Sequence, residues 1–151
     1  MIFIAKKKKR KPTLSLARKR LEKALETITN EQVVDMRNLF IDKFTLCDIA
    51  CKTILEGYLK YENKYNPKKY VDLSMKQIPS AIALYGLEIE RHTLNEIFGG
   101  SGQYKKQGTK SAKKLRDGIV HAMNENDVNE MVERYDELMN KMTLFLSLFE
   151  E

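Results

Sequence analysis

"VNEMVERYDELMNKMTLFLSLF", residues 128–149, decides the fold. Val128, Met131, Tyr135, Leu138, Met142, Phe145 and Phe149 succeed one another at spacings of 3, 4, 3, 4, 3 and 4. That period holds the apolar side chains on one side of a helix; a strand would need alternation every second residue. Val132, Met139 and Leu146 widen the stripe. The spacing predicts one long helix with a face made for a bundle, and a partner contact as a further use.

The same period recurs upstream. Val33, Met36, Phe40, Phe44, Cys47, Cys51, Ile54 and Tyr58 predict a helix of about seven turns. Leu14, Ala17, Leu21, Leu25 and Ile28 predict a shorter amphipathic helix before it. Thr29 and Gln32 resemble a capping box that would divide the two; one bent helix is the alternative. In "YENKYNPKKY" (61–70), tyrosines interleave with lysines. Such a segment can stack bases and hold phosphates, but an exposed connection is expected. A short helix is expected over Ser74–Tyr85, disturbed by Pro79 and ended by Gly86. "LEIERHTLNEIF" (87–98) should be helical up to Gly99-Gly100. "GGSGQYKKQGTK" (99–110) has the composition of a flexible loop, and Ser111 is a good N-cap for a further helix after it. Together these predict an all-α, up-and-down helical bundle of four to five helices. Residues 13–151 form the single domain, behind a basic tail at 1–12.

A chain of 151 residues with 42% hydrophobic and 32% charged side chains can bury a core without disulfides or metal. Its formal charge of +6 is unevenly placed. Residues 1–20 hold nine Lys/Arg and no acid; the rest hold 18 basic and 21 acidic side chains. Lys6–Lys11, a run of cations, is expected to be solvated. A second acid-free block runs from Gly99 to Arg116 with Lys105, Lys106, Lys110, Lys113 and Lys114. Two basic patches on a mildly acidic body point to a polyanionic partner. No apolar run is long enough to span a membrane, and the N-terminal charges follow the apolar residues, unlike a secretory signal. The expectation is a cytoplasmic protein without a membrane partner. Cys47 and Cys51 are four apart, the wrong spacing for a redox CxxC, and two thiols do not make a zinc site. They are expected in the core, with no metal or cofactor.

The chemistry is concentrated in "TKSAKKLRDGIVHAM" (109–123). On a helix, Asp117 and His121 are four apart and share a face, so the carboxylate can orient the imidazole. Arg116 lies about 140° round the axis from His121. Either its long side chain reaches round, or two copies of the helix meet across a twofold axis. Gly118 between them weakens the helix, and close approach of another backbone or a ligand would offset that cost. One His, one Arg, nearby Lys and no metal ligands suit RNA cleavage by its own 2′-hydroxyl: imidazole moves the proton and guanidinium stabilises the phosphate. The same three residue types also meet on purely structural helices.

"RDGIVH", residues 116–121, resembles the R-x4-6-H motif of the HEPN superfamily, in which a polar residue often follows the Arg. The setting is similar: a late helix in an all-helical domain, followed by a long final helix. The outline covers most of residues 30–150, its specific part only six residues. The resemblance implies a bundle that dimerises with its motifs facing, and a metal-independent endoribonuclease in toxin–antitoxin, abortive-infection or antiviral defence. On that reading His121 is general acid or base, Arg116 holds the scissile phosphate and Asp117 positions His121. Lys105, Lys106, Lys110, Lys113 and Lys114 guide the RNA; an antitoxin or defence-complex partner is implied as well. Met123 departs from one subgroup, whose Tyr at that position is modified by AMP transfer; this speaks against such a partner. The alternative is a non-catalytic helical nucleic-acid-binding or interaction module, a subunit of such a complex, with Arg116 and His121 structural. His92, the other histidine, is expected to be partly exposed and structural.

Overall fold

A computed structural model describes residues 13–71, 76–99 and 109–150. Lys6–Lys11, Lys105, Lys106 and the start of the helix expected at Ser74 lie outside them. The described residues are helical, with seven helices and no strand among them. These are α1 (Ser15–Thr29), α2 (Glu31–Tyr61), α3 (Ile78–Leu84), α4 (Arg91–Phe98), α5 (Ala112–Ala122), α6 (Glu125–Glu133) and α7 (Tyr135–Ser147).

The count exceeds four to five for local reasons. Asn30 both ends α1 and starts α2. Its N–H donates to the Glu26 carbonyl (3.1 Å), and its side-chain Oδ1 accepts from the Val33 N–H (3.2 Å). The cap is therefore Asn30 and not the expected Thr29, whose hydroxyl donates back to the Leu25 and Glu26 carbonyls. The single helix expected from Val128 is two. Arg134 departs from helical dihedrals (φ −102°, ψ 14°) at the α6–α7 junction, and its side chain turns toward α4. Pro79 stands in the first turn of α3, where no intrahelical donor is lost. Residues 87–90 are not helical, so α4 is shorter than expected.

The α2 helix is the core's spine, packing against α1, α3, α5, α6 and α7. Its Phe40, Phe44, Cys47, Cys51 and Leu55 are fully buried. They meet Leu94, Ile97 and Phe98 of α4, Leu115 and Ile119 of α5, and Met131, Leu138, Met142 and Phe145 of the 3-4 stripe. Phe44, Phe98, Phe145 and Phe149 form a chain of ring contacts at 6.2, 5.1 and 5.4 Å between centroids. Each fully buried side chain of this size contributes roughly 1.5–3 kcal/mol. Cys47 and Cys51 are free, buried thiols, and burial pushes the pKa of both up to about 12.

The connection after α2 is exposed, as expected. Its tyrosines face lysines of α2: Lys60 lies over Tyr65 at 4.9 Å and Lys52 over Tyr70 at 5.1 Å.

Candidate functional site

Ser111 starts α5, its hydroxyl accepting from the Lys114 N–H at 3.2 Å. Ala112, Leu115 and Ile119 face the core. That rotation leaves Lys114 and His121 exposed, with Lys113, Arg116 and Asp117 half-buried. The helix ends at Met123, which takes the left-handed conformation (φ 45°, ψ 43°) usual for a terminating glycine. Met123 Sδ accepts from Arg37 Nη1 of α2 at 3.3 Å, a contact that helps hold this strained residue.

Arg116 is the best-fixed side chain of the motif. Its guanidinium lies over the ring of Phe44, 4.7 Å from the centroid. Its Nη2 pairs with Asp117 Oδ1 at 2.9 Å. Its Nε is buried without a hydrogen-bond partner. An orphaned donor costs about 1–3 kcal/mol, partly offset by stacking a cation on an aromatic face. Asp117 thus engages Arg116; no hydrogen bond joins it to His121, whose imidazole stands in solvent with no partner among the described residues. No hydrogen bond or ion pair joins Arg116 to His121 among the described residues.

Gly118 makes room for α6. A Cβ there would lie 1.7 Å from Asp127 Oδ2 and 2.8 Å from its Cγ. The close neighbour is a side chain of this same chain, neither backbone nor ligand. Asp127 is buried and paired with the Lys110 ammonium.

Lys110 is tied into the framework of the fold. Its ammonium is committed to Asp127, its N–H donates to Glu130 Oε2 (3.0 Å), and its carbonyl accepts from Arg134 Nη1 (2.7 Å). Arg134 also binds Glu96, Glu130 (2.8 Å) and Glu137 (3.6 Å). This nearly buried hub ties the start of α5 to α4, α6 and α7. Helical spacing already pairs Arg134 with Glu130 and Glu137; Glu96, remote in the chain, carries no such signal. His92 is exposed at the rim of the same network, with Nε2 3.1 Å from Lys141 Nζ and 3.8 Å from Glu96 Oε1.

Among the described residues, no group of three or more His, Cys, Asp or Glu is arranged to hold a metal ion. An apolar pocket of about 410 Å³ lies between α2, the α3–α4 connection and the C-terminal end, lined by Ile54, Tyr85, Leu87 and Phe149. It includes no residue of the α5 motif. The chain matches no protein-family model, no curated protein and no solved structure.

Proposed function

We propose that the chain is a metal-independent endoribonuclease of the HEPN type, acting as a homodimer whose two α5 helices line one cleft. One observation carries this reading: a single helix presents an unpartnered, exposed imidazole and, five residues before it, a guanidinium fixed on Phe44. Arg116 would bind the scissile phosphate, and His121 would move the proton of the attacking 2′-hydroxyl or of the leaving oxygen. Their separation round α5 by about 140° is what a second copy would complement. Products would be a 2′,3′-cyclic phosphate and a 5′-hydroxyl.

Lys113 and Lys114 support the reading. Both stand in the first turn of α5, which has no acid. Cations there oppose the helix dipole, so helix stability does not account for them; attraction of a phosphate backbone does. Lys105 and Lys106 would extend the track. A toxin or anti-phage role, with an antitoxin or defence-complex partner in a cytoplasmic setting, is the context that goes with this chemistry.

The Arg116–Asp117 pair favours a second reading, the non-catalytic module, because it satisfies the guanidinium without substrate. Purified wild-type and His121→Ala protein incubated with total RNA in EDTA separate the two. Cleavage by the wild type alone supports the nuclease; equal cleavage, or none by either, supports the module.

A further inference from the structure

The α1 helix leaves its apolar side largely exposed. Leu14, Leu21, Leu25 and Ile28 are 50–70% exposed. With Ala17 and Ala24 they fall within an arc of roughly 100° at helical periodicity. One tie to the body lies on the opposite side. Lys23, roughly 140–200° round the axis from Leu21, Leu25 and Ile28, pairs with Glu125 of α6 at 2.8 Å. Within the apolar arc Ala24 alone is partly covered, and Leu16, on the opposite side, is exposed as well. Burial among the described residues therefore does not explain the leucine stripe, and a contiguous apolar face of this kind marks an interaction surface.

Charge says what covers it. Arg18 and Arg20 stand at the two edges of the apolar arc, with Lys19 behind; Glu22 and Glu26 lie further round. Along α1, Arg18, Lys19 and Arg20 come before the first acid, Glu22. A second copy of α1 would cover the leucines but would bring two such sets of cations together. RNA would neutralise the cations but leave the leucines in water. A partner groove that wraps a helix would collide with the side held by Glu125. A flat anionic surface meets all three conditions. Its acyl boundary takes the leucines, its headgroup phosphates take the cations, and only the outward face is touched.

We infer that α1 is a surface anchor that lays its leucine face on an anionic lipid bilayer, with Arg18, Lys19 and Arg20 as the second, electrostatic signal. Among the described residues no helix is long and apolar enough to cross a membrane; a helix in the interfacial plane needs no such length. The inference is independent of the nuclease reading.

The test is flotation of the full chain with phosphatidylcholine vesicles, with and without phosphatidylserine. Binding should require phosphatidylserine and weaken as salt rises. Leu21→Ser with Leu25→Ser should reduce it at least about tenfold while helical content by circular dichroism is unchanged. Arg18→Gln with Arg20→Gln, which alters no apolar residue, should reduce it too. Absence of flotation overturns the proposal. So does wild-type flotation of the leucine variant, which would assign binding to the basic run alone. A wild-type dimer that the leucine variant converts to monomer, without vesicle binding, overturns it in favour of a self-interface.

Discussion

Asp127 Oδ2 occupies space that a Cβ on Gly118 would need, 1.7 Å away. The cost of glycine inside α5 is thus tied to the packing of α6. Helix propensity alone favours Gly118→Ala by about 1 kcal/mol. The clash acts the other way: Asp127 is short, buried and held by Lys110, so α6 must shift or the ion pair must open. We expect a net loss of about 2 kcal/mol, read as a fall of several degrees in Tm. A rise in Tm would show that α6 gives way freely.

Arg134 joins Glu96, Glu130 and the Lys110 carbonyl. Arg134→Met should cost about 3–5 kcal/mol, because it leaves Glu96 buried with only His92 Nε2 at 3.8 Å and Lys141 Nζ at 4.0 Å beside it. Urea denaturation measures this. A loss below about 1 kcal/mol would mean that Glu96 is relieved by water or a proton.

Burial raises the Cys47 and Cys51 thiols from 9.0 to about 12. At neutral pH the native thiols should therefore resist Ellman's reagent and react once urea unfolds the chain. The folded state also binds more protons than the unfolded one between 9.0 and about 12. The thiols' contribution to stability is accordingly complete below 9.0 and is lost as pH rises through that window. Fast labelling of native protein would contradict both expectations.

His121 is exposed without a partner among the described residues. His121→Ala should therefore change stability by no more than about 0.5 kcal/mol and, on the nuclease reading, abolish cleavage. Wild-type cleavage by this variant would assign the helix a structural role.

Arg116→Lys should also lose cleavage. An ammonium reproduces neither the flat stacking on Phe44 nor a bidentate phosphate contact. Asp117→Asn should act more mildly, since an acceptor for Arg116 remains while the charge is lost. RNA fragment analysis, with substrates carrying 2′-deoxy at the scissile nucleotide as the resistant control, ranks the three variants. Equal activity of Arg116→Lys and wild type would remove Arg116 from the phosphate site.

Much of the fold could be read along the chain. The 3-4 period from Val128 placed Met131, Leu138, Met142 and Phe145 in the core, the period from Val33 placed Phe40, Phe44, Cys47 and Cys51 there, and Ser111 caps α5 as its type and position suggest. These are properties of neighbours in sequence: hydroxyls reach the next turn, and a helix returns apolar residues to one side every three or four positions. The break at Arg134 escaped because the apolar stripe runs through it unbroken, while partners of its side chain lie on α4 and at Lys110, remote in the chain.

The candidate site divides the same way. Sequence alone determined that Arg116, Asp117 and His121 share one helix behind an acid-free basic block. Only the tertiary structure decided that Asp117 turns to Arg116, that Phe44 lies beneath the guanidinium, that Lys110 belongs to Asp127, and that the leucines of α1 remain exposed. A helical period states which residues share a face. It does not state what that face meets, because the choice among partners is made by close packing and by charges from segments remote in the chain.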